Sequence, residues 1–173
     1  LLRGSLFRAI ETRAGTAPAI AVTSVSFGLL HAPVYGWAVV PLDIAVGKDA
    51  VWVTSFTDGT VTRLDPGSGD VQGQPIKVGR HPRGVAVGEG STWVANAGDG
   101  TITRIDPAKA AVVGDPIPVG RDPRELEVGE GFVWVANAGD GTVTRVDPTG
   151  KVAGGPIELG EDPIGIAVGA GGV

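Results

Sequence analysis

WVANAGDGTITRIDP occupies residues 93–107, and WVANAGDGTVTRVDP occupies residues 134–148. These near-identical stretches decide the fold, because they belong to a longer period. Trp52, Trp93 and Trp134 are 41 residues apart, as are Asp65, Asp106 and Asp147, each followed by Pro. Pro41, Pro82 and Pro123 open the copies, and Pro163 opens a fourth one residue early. The slip lies in the loop after Pro148, which is one residue shorter than its counterparts. The copies span 41–81, 82–122 and 123–162, with a partial copy at 163–173.

Each copy reads as four short strands separated by turn signals. In the second copy they fall at 85–87, 92–96, 101–106 and 112–119. Gly88 to Gly90 closes the first, and Asp99-Gly100 turns the chain between the second and third, since Gly readily takes positive φ. Ile102 alternates with Thr101 and Thr103, so one face of the third strand is apolar. Pro116 and Pro118 fall in the fourth, which marks it as an edge or bulged strand. Four strands in about 40–45 residues is the arithmetic of a β-propeller blade. The expected fold is mainly β: a partial propeller of three four-stranded antiparallel blades, preceded by a helical membrane segment. A β-solenoid is the alternative, but its turns usually repeat over fewer residues.

Composition agrees. The chain has 173 residues, with 29 Gly and 13 Pro, a level at which an aperiodic chain would be disordered. Here 25 of the 29 glycines lie in 41–173, mostly at turns that recur with the repeat. There is no Cys and no Met. That excludes a disulfide scaffold and a cysteine nucleophile. With two His, His31 and His81, any metal site would need mostly oxygen ligands; no metal and no cofactor is expected. A net charge of −5 gives no support for a nucleic-acid partner.

Residues 1–40 differ from the rest. They carry Arg3, Arg8 and Arg13 against Glu11 alone, and no charged side chain occurs from 14 to 42. That stretch exceeds the roughly 20 residues needed to span a bilayer. It reads as one kinked membrane helix or two shorter ones broken near Pro33, against the blander readings of a buried soluble helix or a signal-peptide core. Arginines ahead of one span place the repeats outside the cytoplasm; a hairpin would reverse that. The chain is expected to be a piece of a longer protein.

The repeats resemble the YVTN/YncE-like family of β-propellers, carried by the two stretches above and by PIPVGRDP at 116–123. The resemblance implies a binding or sensor module. The related streptogramin lyases use propeller histidines as catalysts; here the repeats hold only His81, in a connection, so that activity is not implied. Residues 1–33 resemble the CPBP intramembrane proteases, which include the CAAX prenyl endopeptidases. Arg3 matches the Arg of their Glu-Glu-x-x-x-Arg motif, whose glutamates would fall before Leu1. Phe27-Gly-Leu-Leu-His31 matches their Phe-x-x-x-His. That resemblance gives His31 and Arg3 as candidate catalytic residues.

The leading functional expectation is a non-catalytic propeller module that binds a protein or small molecule on its face, tethered to a membrane. The alternative is a piece of a CPBP-type glutamic protease with a propeller sensor domain. Candidate binding residues are Glu127, which together with Glu125 breaks the repeat where the second copy has Ala86 and Gly84, and Arg63, Arg104 and Arg145 on the third strands. Each has a bland counterpart, an exposed strand position or a solvated surface. The three tryptophans read as blade core. Asn96, Asn137, Asp99 and Asp140 read as turn residues; as a calcium site they lack the ligand count.

Overall fold

The structure is a computed structural model that describes residues 43–169. The expected helical segment 1–40, with Arg3 and His31, lies outside them. Among the described residues there is no helix; they form three antiparallel sheets. Blade 1 comprises β1 (Ile44–Val46), β2 (Val51–Ser55), β3 (Thr60–Leu64) and β4 (Ile76–Lys77). Blade 2 comprises β5 (Pro82–Gly88), β6 (Ser91–Asn96), β7 (Thr101–Asp106), β8 (Ala111–Val112) and β9 (Ile117–Pro118). Blade 3 comprises β10 (Pro123–Gly129), β11 (Phe132–Asn137), β12 (Thr142–Val146) and β13 (Ile157–Glu158). The strands of each sheet pair in chain order, except that β9 pairs with β7 alongside β8, so every blade is a meander.

The period-two alternation of a strand explains why the blades need one another. Ala45, Trp52 and Val61 of blade 1 pack with Val85, Val94 and Ile105 of blade 2. The alternate residues of blade 2, Ala86, Trp93, Ala95 and Ile102, pack with Leu126, Val133, Val135 and Val146 of blade 3. Both faces of blade 2 are therefore core, and the core lies between sheets. Trp52 and Trp93 are fully buried. Trp134 is half-buried, with only residues 163–169 described beyond its blade.

The first strands of neighbouring blades run close together. A side chain on Gly84 would meet the Arg124 carbonyl oxygen at 2.8 Å and the Glu125 Cα at 2.9 Å. One on Gly88 would strike Val128, so small residues let the innermost strands converge.

The fourth strand departs from the expected continuous run. In blade 2 it is two short pieces, β8 and β9, both paired with β7. In blades 1 and 3 the first piece shrinks to a single bridge, Leu64 with Val71 and Val146 with Val152. The cause is a repeated Gly-x-Pro. Gly73, Gly114 and Gly154 hold φ of 76°, 73° and 79°, and the prolines two residues on lack an N–H for the ladder. The outermost strand is thus proline-bearing, as expected, but interrupted.

The Asp-Pro pair ends each third strand by a specific device. Asp106 Oδ1 accepts the Ala108 and Lys109 backbone N–H groups at 2.9 and 3.1 Å, closing an Asx-type turn. Asp65 Oδ1 likewise accepts the Gly67 and Ser68 N–H groups, and Asp147 Oδ1 those of Thr149 and Lys151. The shortened loop is visible here: Asp65 N–H donates to the Asp70 carbonyl, five residues on, and Asp147 N–H to the Lys151 carbonyl, four residues on.

Candidate functional site

In blades 2 and 3 the connection entering the blade is fastened to that blade's turn between second and third strands. Arg80 donates its backbone N–H and its Nε to the two oxygens of Asp99, both at 2.6 Å. Gly79 N–H donates to Asn96 Oδ1 at 3.0 Å, and Asn96 Nδ2 donates to Thr101 and Thr103. Arg121 and Asp140 repeat the contact at 2.6 Å in blade 3. The Arg80 backbone N–H, then its side chain, hold the Asp99 carboxyl below the usual carboxylate range. For Asp140 the Arg121 side chain leads, followed by its backbone N–H. The turn residues of the sequence reading thus also anchor the connections; the Arg–Asp pairs 19 residues apart were the missed signal.

At the same end of the blades, several departures from the repeat meet. Phe56 stands where the other copies have Ala97 and Ala138, and His81 where they have Asp122 and Asp162. Asp43 stands where blade 2 has Gly84 and blade 3 has Glu125. The Phe56 and His81 rings stack with centroids 4.5 Å apart and planes 11° from parallel. The Arg83 guanidinium lies 5.1 Å from the Phe56 centroid, within cation–π range. Burial pushes the Asp43 carboxyl up, and the charge of Arg83 opposes part of that rise. Asp43 is held by Thr54, whose Oγ1 accepts its backbone N–H at 3.1 Å. A groove of about 340 Å³ opens beside the stack, with Thr57, Asp58, Lys77, Arg80, His81 and Asp99 among its walls.

Arg83 and Arg124 hold the same place in successive blades but have different surroundings. Arg124 donates Nε to Asp122 Oδ2 at 2.9 Å, and its Nη1 lies 3.7 Å from Asp162. At the position of Asp122, Arg83 finds His81, and its buried Nε has no hydrogen-bond partner.

The structure puts the other candidates elsewhere. Arg63, Arg104 and Arg145 lie 6.0, 5.5 and 5.6 Å from the Trp52, Trp93 and Trp134 centroids, their direct cross-strand neighbours. Arg63 Nη1 reaches the Pro107 carbonyl of blade 2 at 3.3 Å, and Arg104 Nη1 the Thr149 carbonyl of blade 3 at 3.4 Å. These side chains span successive blades. Arg104 also donates Nε to Ser91 Oγ at 2.9 Å. Arg63 and Arg145 have Ala50 and Phe132 at that position, and their Nε atoms are unpartnered. Glu127 lies on the innermost strand β10, half-buried and opposite Trp134 in the register. Among the described residues no group of three or more His, Asp or Glu is placed to hold a metal ion.

No protein-family model matches the chain, and no curated protein matches it. Solved structures do. Hydrazine synthase of Kuenenia stuttgartiensis is similar over 67% of this chain and 34% of its own, with TM-score 0.62 and 18% identity. A catalytically inactive virginiamycin B lyase of Staphylococcus aureus with quinupristin is similar over 64% of this chain and 38% of its own, with TM-score 0.54 and 20% identity. Apo AztD of Citrobacter koseri is similar over 82% and 42%, with TM-score 0.56 and 17% identity. The chain has a β-propeller fold. Its blades span about a third to two fifths of the length of these structures, and at such identities the likeness extends to the fold alone.

Proposed function

We propose that this chain is a non-catalytic binding module, part of a longer propeller, whose ligand lies on the face built from the blade-to-blade connections and the turns between second and third strands. The observation that carries this reading is the meeting of Asp43, Phe56, His81 and Arg83 at one place on that face. Identical packing constrains every copy of a repeat, so the two departures that meet here, Phe56 and His81, point to something outside the repeat. Further blades on either side would cover Ile44 and Val46, exposed here although their counterparts in blade 2 pack inward, and Ile157 and Leu159.

The test is a thermal-shift screen of small molecules and peptides, followed by hydrogen exchange on each hit. Ligands are expected to protect 56–59, 79–83 and 97–100. Hits that protect only the opposite end of the blades, or intrinsic lyase or hydrolase activity, would overturn the reading.

Tethering of the propeller outside the cytoplasm by residues 1–40 belongs to the same proposal. It rests on the uncharged stretch and the arginines ahead of it. Protease added to intact spheroplasts should then clip the propeller; full protection would oppose that placement. The alternative, a piece of a CPBP-type protease with Arg3 and His31 in its active site, rests on Phe27-Gly-Leu-Leu-His31. It requires a pair of glutamates encoded just upstream of Leu1, and their absence from the gene ends it.

A further inference from the structure

We propose that Arg83, with the stacked rings of Phe56 and His81, receives the carboxylate of a ligand whose flat or apolar body lies along the neighbouring groove. This inference rests on the binding reading given above and specifies its ligand.

Blade 3 supplies the template. There the Nε of Arg124 has a carboxylate acceptor, Asp122, two residues earlier in the chain. In blade 2 the same arginine position has lost that acceptor, because the residue two before it is His81. The backbone has not changed with the side chain. His81 and Asp122 share left-handed φ values of 51° and 48°, and their carbonyls accept Ala97 N–H and Ala138 N–H at 3.1 and 3.0 Å. One carboxylate has been removed from an otherwise repeated frame, leaving a buried Nε without a partner.

An unsatisfied buried donor is costly, and a carboxylate that displaced the atoms covering Nε would remove that cost with a charge-assisted bond. Phe56, absent from the other copies, gives the guanidinium a ring to lie on and stacks His81 alongside. Of these three side chains, His81 lines the groove and would face a planar or apolar group lying there. Lys77 and Arg80 line the adjoining groove together with Asp58 and Asp99. Arg80 is already bound to Asp99, and Lys77 Nζ donates to the Asp58 carbonyl at 2.7 Å. Asp43, close enough for Arg83 to oppose the rise in its pKa, is the internal acid a ligand must coexist with.

The ligand carboxylate has two sources, a free small acid or a peptide C-terminus. Calorimetric titration of the full chain with phenylacetate, and with a short peptide ending in Phe, separates them; phenylacetamide and the amidated peptide are the controls. Binding of at least one acid, weakened about tenfold or more in its amide, is expected. His81→Asp restores to blade 2 the carboxylate that blade 3 has. It should raise the melting temperature and abolish acid binding while the chain stays folded; Arg83→Gln should abolish binding without raising it. Acids that bind no better than their amides, or as well to His81→Asp as to the natural chain, would overturn the inference. If neutral ligands still protect the face in hydrogen exchange, the carboxylate assignment fails and the binding module stands. If nothing protects that face, both fail.

Discussion

Ala110 holds φ of 50° in the turn between the third and fourth strands of blade 2. Its counterparts in blades 1 and 3 are Gly69 and Gly150, also at positive φ, where a residue without Cβ meets no steric penalty. Ala110→Gly should therefore stabilise the chain by about 1 kcal/mol, the usual cost of a left-handed L-residue, read as a rise in thermal midpoint. A fall would mean that the lost methyl contacts outweigh the relieved strain. His81 occupies the same backbone region for a different reason, since its position is left-handed in all three connections. There the informative property is the side chain.

Among the elements, the first three strands of each blade were legible in the sequence. Alternation and the turn glycines act locally, and the register pairs Trp93 with Arg104 as a simple hairpin requires. The fourth strand was less legible, because Val112-Val113 and Ile117 flank the break made by Gly114 at positive φ followed by Pro116 and read as one strand. The arginines of the third strands read as surface from their charge alone. Their covering of Trp rings, and the reach of Arg63 and Arg104 to the next blade, follow from packing that no single copy contains. The cluster around Arg83 left its trace as an exchange of Asp for His and of Ala for Phe between copies, a contrast visible only on comparing copies position by position. The tryptophans give an element-scale prediction. Trp93→Ala removes a fully buried ring from the core between blades 2 and 3 and should cost about 3–5 kcal/mol. Trp134→Ala, at a half-buried ring, should cost clearly less. Equal losses in chemical denaturation would contradict the arrangement of the core between sheets.

For the whole molecule, stability is expected to fall in acid. Asp65, Asp99, Asp106, Asp140 and Asp147 all have carboxyls held below their ordinary value by hydrogen bonds made on folding. A lowered folded pKa contributes stability that is present above the unfolded value of 3.8 and is lost as pH falls through the folded one. Asp43 acts in the opposite sense: its raised pKa contributes stability at low pH that disappears as pH rises through the folded value. Five groups oppose one, so the urea midpoint should drop below pH 3.8, and Asp99→Asn with Asp140→Asn should flatten that drop. A midpoint indifferent to acid would contradict the hydrogen bonding described for these turns. Gly84 has a consequence at the same scale. Residues 93–107 and 134–148 agree at thirteen of fifteen positions, so during folding either hairpin is a plausible occupant of the other's place. The innermost strands tell them apart. The space at Gly84 is closed by the backbone of the adjoining strand, and the corresponding strand of blade 3 carries Glu125 there. Seated one place too early, its Glu125 would meet the backbone that closes the space at Gly84. The absence of a side chain at Gly84 thereby makes two near-duplicate blades non-interchangeable at the innermost strand.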